Sequence, residues 1–344
     1  MANMNVRTPR FYVDTINYLM SRGVAATEFA VTDTGGSGAS AFRGIQTGSA
    51  AELFDMNPLN KVDFDTSGDP DSQVLVTIDT QSTSSHKNFV AILNHNMSSA
   101  DAKVLIKGSN TEGHIQAVNM GSATEMGNPV EIVDADAISS SIITPATDGT
   151  TIVTFDNSTL RHWGIQFEGN SSNTFGSTDL FVGCILIGEY FDAPHAPDMS
   201  VTRSITFDKV KVLESTGGQR FSNMISHGRT STATSKSPFT LGFPDHEAYG
   251  GRLSYDMNFS FLNSNTVMPA RYESLVHTDD TVVSDVWNKV NGPAIPFIFS
   301  CDHSSTGTNA ESEHIFARFA QNSLNTSQVA NDLWNVSLKI EEEF

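Results

Sequence analysis

Short apolar runs, separated every few residues by polar turn residues, constrain the fold of this chain most. From residue 60 onward the runs are rich in Val, Ile, Phe and Thr, and Gly, Ser, Asn and Asp lie between them. Runs of this length and composition are typical of β-strands in sandwiches and jelly rolls. In the first part of the chain the runs span 61–64, 73–78, 89–93, 102–106, 115–118, 130–133, 142–143, 151–155, 163–167 and 180–187.

The pattern inside these runs predicts which strands are buried. Ala102–Lys107 and Trp163–Glu168 alternate apolar with polar or small residues, as strands with one solvated face do. Leu180–Ile187 is apolar throughout apart from one glycine. This third run therefore predicts a central strand that is covered on both faces.

The second half continues the strand pattern, with one interruption. Further strands are predicted at 201–212, 219–225, 239–243, 253–262, 295–301, 315–319 and 333–344. The interruption is Thr278–Val290, where apolar residues recur at helical spacing before Asn291-Gly292-Pro293. Acidic residues near its start and the Gly-Pro pair after it favour one short helix here.

Proline and glycine suggest where the chain divides. Pro194 and Pro197 lie in a segment that favours an extended linker, because proline cannot donate to a strand ladder. Arg10–Gly23 mixes apolar residues at alternating and helical spacings, so it is either a short arm or a strand followed by a helical turn. Ala25–Gly48 is glycine-rich and has few bulky apolar residues, which predicts an extended loop or arm rather than core. We therefore expect an all-β protein with an N-terminal arm (1–48), a β-sandwich (49–190), a linker (191–200) and a second, jelly-roll-like sandwich (201–344), with the helix near residues 278–290.

The composition disfavours two kinds of partner. The 344 residues contain 20 Lys and Arg against 39 Asp and Glu, a formal net charge of -19. Phosphate backbones are repelled by such a surface, so nucleic-acid binding is not expected. The sequence shows no signal segment and no apolar run near the roughly 18–20 residues that cross a bilayer, so we expect assembly in a cytoplasm without membrane insertion. Cys184 and Cys301 lie in apolar runs and are expected to be buried thiols rather than a disulfide.

Several segments, in order, carry a family resemblance. Asn88–Met97 (NFVAILNHNM), the following strand that ends in Gly108-Ser109, Trp163–Phe167 and Leu180–Glu189 resemble phage tail-associated structural proteins that contain a galactose-binding (discoidin)-like β-sandwich. The C-terminal strands 295–299 and 334–344 are similar to those of other phage proteins. The resemblance covers most of the chain from about residue 45. It departs from the family at Asn94, where a glycine is frequent.

The resemblance implies a structural role without catalysis. It suggests a virion component of a bacteriophage tail or baseplate, such as a tail-tip or distal-tail ring protein. Its partners are then other tail proteins and copies of itself in a homo-oligomer, and the N-terminal arm threads onto a neighbouring subunit. The resemblance also implies that the protein is located in the phage tail.

Two other function classes stay open. A host-recognition or carbohydrate-binding module of the tail can use loops such as Pro194–Met199 or Asp302–Glu313 to hold a host surface glycan, and a head or neck decoration protein fits the same pattern. A hydrolase needs an acid pair or a nucleophile cluster in a cleft, and no motif frames one. We therefore expect no enzyme activity.

Two groups of polar residues are candidate sites. Asp63, Asp65, Asp69 and Asp71 concentrate hard oxygen ligands that suit Ca²⁺, although the spacing is not that of an EF-hand loop and the alternative is a solvated turn. The loop around Asp302, His303, Glu311, Glu313 and His314 lacks the spacing of a zinc site and is expected to be a polar loop tip. No other cofactor is expected.

Two further features have both a functional and a structural interpretation. His95 and Asn96 follow a strand and are candidates for an interface or binding site. The alternative is a turn in which the His95 ring caps a neighbouring backbone group. Trp163, Tyr249 and Tyr255 could stack on a sugar ring, but a Trp in an alternating strand usually faces the core.

Overall fold

A computed structural model describes residues 6–32, 42–68, 70–134, 138–139, 141–207, 211–223, 238–240, 251–271, 281–306 and 310–343. These residues form a thirteen-stranded sheet, a seven-stranded sheet and a separate two-stranded hairpin, and the paired strands within them are antiparallel. Loops and short helices connect them. The prediction of an all-β sandwich protein is confirmed.

The large sheet runs through both halves of the chain. Its N-terminal half contributes β1 (Arg10–Asp14), β3 (Ile45–Thr47), β4 (Val62–Phe64), β6 (Lys87–His95), β9 (Val130–Val133), β12 (Gly149–Ser158) and β14 (Leu180–Asp192). Its C-terminal half contributes β15 (Thr202–Thr206), β18 (Arg252–Asn263), β19 (Phe297–Ser300), β20 (His314–Phe319), β21 (Asn325–Ala330) and β22 (Leu333–Glu342). The main path through the sheet is β15-β18-β22-β20-β19-β1-β14-β6-β12-β9.

The smaller sheet covers one face of the N-terminal half. Its strands are β2 (Phe29–Thr32), β5 (Gln73–Asp79), β7 (Ala102–Ser109), β8 (Thr124–Glu125), β10 (Ile138–Ser139), β11 (Ile142–Ile143) and β13 (His162–Gly169). The remaining strands, β16 (Lys211–Glu214) and β17 (Arg220–Asn223), form the separate hairpin. The helices are α1 (Thr15–Ser21), α2 (Glu112–Ile115), α3 (Ser264–Val267), a π-helical turn (Val282–Trp287) and 3₁₀ turns at Ala26–Glu28, Ala50–Phe54, Val118–Met120, Pro238–Thr240 and Ala310–Glu313.

The first core lies between the two sheets. Val90, Ile92 and Ile187 from the large sheet are buried in one cluster with Ile165 and Phe167 from the smaller sheet. Alternate residues of β14, such as Cys184 and Leu186, point to the other face and join a further core there. The β14 strand is thus covered on both faces, as its uninterrupted apolar sequence predicts.

The C-terminal strands continue the large sheet and bury a second core on it. Met257, Phe297 and Leu338 are fully buried in this core, and Val282 and Val286 of the π-helical turn lie in the same cluster. The predicted closing strands at 295–301, 315–319 and 333–344 are confirmed as β19, β20 and β22. Within the described residues, these strands extend the first sheet instead of forming a separate sheet of their own.

The N-terminal residues correct the expectation of an arm over 1–48. Strand β1 lies in the middle of the large sheet, paired with β14 on one side and β19 on the other. Phe11 and Val13 enter the second core, and Tyr12 points to the opposite face. A strand buried on both faces cannot thread onto a neighbouring subunit. Residues 1–5 and 33–41 of the predicted arm lie outside the described residues.

The predicted linker and helix are found at slightly different places. Strand β14 extends to Asp192, so the connection to the next strand covers only residues 193–201. One sheet contains strands from both sides of the predicted linker. The division into two domains stays a prediction. Of the helix predicted near 278–290, residues 278–280 lie outside the described residues, and the rest contains a π-helical turn at Val282–Trp287. The Thr281 side chain caps this turn by accepting from the Ser284 amide.

A buried ion cluster lies where the second core meets β14. Nζ of Lys289 is 2.7 Å from Oε2 of Glu189 and 3.1 Å from Oδ1 of Asp285. Burial acts to lower the pKa of Lys289, but the two carboxylates outweigh it and the pKa is raised. The lysine is therefore charged, and the cluster ties the π-helical segment to β14.

Both cysteines are buried free thiols, as predicted. None of the helices in the described ranges has the length and apolar character that crossing a bilayer requires.

Candidate functional site: an acidic groove on the smaller sheet

An open groove of about 510 Å³ lies on the outer face of the smaller sheet. Ala30 and Thr32 of β2, Thr77 and Asp79 of β5, and His162 at the start of β13 line it. The inward residues of the same strands, such as Ile78 and Trp163, belong to the first core. At the groove, strand alternation thus leaves small and polar side chains on the outer face, whereas Leu75 and Leu105 of the same face are buried against Ile115 and Met120.

A short helix forms a wall of this groove. Glu112, Ile115 and Gln116 in and after α2 line it, and Thr27 and Glu28 of a 3₁₀ turn also contribute. The helix lies close to the sheet because β13 has Gly164 beneath it. A β-carbon at position 164 would overlap the Met120 sulfur and would lie 2.7 Å from Cγ2 of Ile115.

Three carboxylates and one guanidinium set the charge of the groove. Arg161 donates to both carboxylate oxygens of Asp79, at 2.7 and 2.6 Å. Burial acts to raise the pKa of Asp79, but hydrogen bonds from Arg161 and the Gln81 amide outweigh it, so the pKa lies below its usual range. The hydrogen bond to Asp79 raises the pKa of Arg161, and the charges of Glu28 and Glu112 add to this effect.

Chemically, the groove presents a fixed carboxylate, two further carboxylates, an amide, an imidazole and threonine hydroxyls. These groups accept and donate hydrogen bonds to hydroxyl-bearing ligands. The net negative charge repels anionic ligands and favours neutral or cationic ones.

Sequence reasoning missed this groove, although one signal was present. Asp79 ends an apolar run and His162 begins another, so both are polar residues at strand ends. Their adjacency depends on the pairing of β5 with β13, in which His162 lies opposite Asp79. Run lengths and compositions do not reveal that pairing.

His95 and Asn96 lie away from the groove and are buried. Nδ1 of His95 accepts from the Met97 amide at 3.3 Å, and Nε2 is 2.9 Å from Oγ1 of Thr151. Burial lowers the pKa of His95 to about 3. The Asn96 side chain bonds to the backbone of Asp179 and Phe181. Both candidates therefore act as turn residues that bind neighbouring backbone groups.

Asn94, where the sequence departs from its resemblance to phage tail proteins, has φ 54°, a left-handed conformation that Asn tolerates better than most residues. Its amide donates to the carbonyl oxygen of Pro58 at 2.6 Å. The asparagine thus adopts the positive φ for which glycine is usually favoured.

The predicted aspartate group does not form a ligand cluster in the described part of the chain. Asp63 is half-buried in β4, Asp65 is exposed, and Asp71 has φ 53° in a turn. Asp69 lies outside the described residues. Among the residues that are described, no group of three or more His, Cys, Asp or Glu side chains could hold a metal ion.

The loop after β19 is held by local contacts. Asp302 is buried, accepts from the Ser304 amide and hydroxyl, and pairs with Arg7 at 3.3 Å. His314 is buried between the rings of Tyr12 and Phe239. Residues 307–309 of this candidate binding loop are not among those described.

The candidate stacking residues face the interior. Trp163 is buried in the first core and Tyr255 in the second, so the core-packing interpretation of Trp163 is confirmed. Tyr249 lies outside the described residues. In the other candidate loop, 194–199, Met199 is fully exposed and Asp198 accepts from the Ser260 hydroxyl at 2.6 Å.

Comparisons with known proteins give two structural likenesses. No protein-family model and no curated protein matches the chain. A chitosan-binding module 1 derived from a chitosanase/glucanase of Paenibacillus sp. IK-5 is similar at 14% identity and a TM-score of 0.27, over 47% of this chain and 93% of that one. A truncated AlyQ with CBM32 and alginate lyase domains is similar at 17% identity and a TM-score of 0.30, over 77% of this chain and 52% of that one. At these scores, the function has to be argued from the geometry of the groove itself.

Proposed function

We propose that the chain is a binding module that holds a neutral or amino-bearing carbohydrate in the acidic groove and does not catalyse a reaction on it. The observation that carries the proposal is the open groove of about 510 Å³ in which Asp79 is fixed by Arg161 beside Glu28 and Glu112. Carboxylates, amides and imidazoles bind sugar hydroxyls through hydrogen bonds, and a flat strand surface with small side chains accommodates a sugar ring.

Charge narrows the ligand class. A uronic acid or a sulfated sugar brings a negative charge to a groove that already has three carboxylates. A neutral sugar avoids this repulsion, and an amino sugar is attracted. We therefore expect affinity to decrease from amino sugars through neutral sugars to uronic acids.

The test is calorimetric titration of the full chain with oligosaccharides of these three classes. Glu112→Ala removes a carboxylate from the exposed wall of the groove. Because hydrogen bonds to charged groups contribute about 1.5–3 kcal/mol, we expect affinity to fall roughly 10- to 100-fold. Glu125→Gln alters an exposed carboxylate of the same sheet that does not line the groove and is the matched control. Absence of binding by all three classes, or equal affinity in Glu112→Ala, rejects the proposal.

A structural role in a bacteriophage particle is the second candidate. Two strands of the large sheet, β15 and β21, favour this role. All of their residues are solvent-exposed, and further strands can be added to the large sheet beside them. Such edges are sites of strand addition between chains. Location in a phage tail is part of this proposal, and negative-stain microscopy of particles labelled with an antibody to the chain tests it.

A further inference from the structure

The hairpin of β16 and β17 differs from the rest of the chain in its packing. It pairs with neither of the larger sheets in the described residues. Leu213 lies opposite Phe221 on one face, and Val212 lies on the other. Their exposed fractions are 68%, 54% and 59%, so both faces of the hairpin present apolar side chains to solvent.

Such a hairpin is poorly stabilised by itself. Two strands without a covering layer are marginally stable in water. Its cross-strand ion pair, Arg220 with Glu214 at 3.2 Å, is exposed and adds little. Leu213 and Phe221 lie directly opposite each other and are both exposed, and neighbouring exposed apolar side chains are typical of interaction surfaces.

The sequence segment that contains the hairpin has a formal charge opposite to that of the remaining chain. Residues 201–237 contain six Lys and Arg and two Asp and Glu, whereas the other 307 residues contain 14 and 37. The segment therefore has a formal charge of +4 and the remainder -23. Arg203, Lys211 and Arg220 are the exposed cations of its described part.

We propose that this hairpin, together with the exposed edge strand β15 that precedes it in the sequence, docks on the acidic surface of a second copy of the same chain. Charge complementarity selects that partner, because each copy carries both a basic segment and a strongly acidic remainder. Strand β15 and the hairpin supply 18 residues, close to the roughly 20–30 that each partner contributes to a stable interface. The face with Leu213 and Phe221 is then covered, and Lys211 on the same face meets carboxylates of the partner copy.

Self-association through the hairpin would support the structural role that is the second candidate function. It does not depend on carbohydrate binding in the groove. Sedimentation velocity of the full chain, over a wide range of protein concentration, measures self-association. We expect dimers or larger species at about 0.1 M salt and dissociation at about 1 M, where the screening length falls from about 10 to about 3 Å.

Two variants address the surface itself. Leu213→Ser combined with Phe221→Ser removes the apolar pair, and Lys211→Glu combined with Arg220→Glu reverses the charge. Each is expected to weaken self-association at least tenfold. The controls are Val130→Ser, an equally exposed apolar residue in β9, and Arg22→Glu, an exposed cation after α1. Circular dichroism verifies that all four variants fold.

A wild-type chain that is monomeric at every concentration and salt overturns the proposal. Self-association that is unchanged in both hairpin variants overturns it as well. Binding of a DNA oligonucleotide by a monomeric wild type, lost on charge reversal, assigns the surface to a polyanion instead. Sugar titrations of the same variants keep failure here distinct from failure of the groove.

Discussion

His95 and His314 are buried neutral imidazoles, and they couple the stability of the fold to pH. Burial lowers their pKa values to about 3 and about 4, below the value of about 6.5 in an unfolded chain. As the pH falls, the unfolded chain takes up protons before the folded protein does. The two histidines therefore contribute stability above pH 6.5 that is lost progressively towards pH 3–4.

We expect the free energy of unfolding to fall by about 2 kcal/mol per histidine between pH 7 and pH 5, at 1.36 kcal/mol per pH unit. Urea denaturation at both pH values measures this loss. In His95→Asn the loss should be about 2 kcal/mol smaller, because one titrating group is gone. His195→Asn, which makes the same replacement at an exposed position, is the matched control. An identical loss in wild type and His95→Asn contradicts this account.

Lys289 gives a prediction on stability at constant pH. Replacement by Met leaves Glu189 and Asp285 as buried carboxylates without their cation, which typically costs about 3–5 kcal/mol. Lys339 is the matched control, since it pairs with Asp256 at 3.0 Å on the surface. Lys339→Met should cost less than about 1 kcal/mol. Equal shifts of the urea midpoint in the two variants would argue that the buried cluster is dispensable.

At the scale of secondary-structure elements, β1 depends on a glycine in its partner strand. Gly188 lies opposite Asp14, and a β-carbon there would overlap the carbonyl oxygen of Val13. Backbone cannot move aside as a flexible side chain can. Gly188 is therefore a requirement for close pairing of β1 with β14.

Gly188→Ala is expected to destabilise the protein by about 3 kcal/mol, the upper part of the range for overpacked cores. Gly113→Ala is the control, because this exposed glycine in α2 has open space around it and helix propensity favours alanine by up to about 1 kcal/mol. Thermal unfolding of the two variants gives the comparison. A Gly188→Ala melting temperature equal to that of Gly113→Ala would show that β1 tolerates displacement.

The difference between the strands that sequence predicted and those it missed has a physical cause. Strands β6 and β14 were predictable, because runs such as Phe89–Leu93 are buried whatever their partners are. For Arg10–Gly23 the sequence left a short arm and a strand followed by a helical turn both open, and the second is found as β1 and α1. The central position of β1 was not predictable, since only its pairing with strands far along the chain makes it central. The groove escaped prediction for the same reason, because pairing brings His162 beside Asp79.

At the scale of the whole molecule, the shared sheet argues for cooperative unfolding. The second core takes Phe11, Val13 and Phe191 from the N-terminal half. A fragment of residues 201–344 lacks these side chains. It also lacks β1, one of the two strands that pair with β19.

We expect the full chain to unfold in one calorimetric transition and the 201–344 fragment to show none. The full chain in the same buffer is the control for the fragment. Two separate transitions, or a fragment that melts cooperatively, would restore the division into two independent domains.

The position of β1 also has a consequence during synthesis. Its residues leave the ribosome before those of both partner strands: β14 follows roughly 170 residues later and β19 roughly 290, and β19 therefore takes about 15–60 s to appear at typical elongation rates. Until these strands have been made, Phe11, Tyr12 and Val13 are an apolar strand that lacks its neighbours and is exposed to aggregation and to chaperones. The large sheet therefore closes around β1 only after β19 has been made, long after the synthesis of β1 itself.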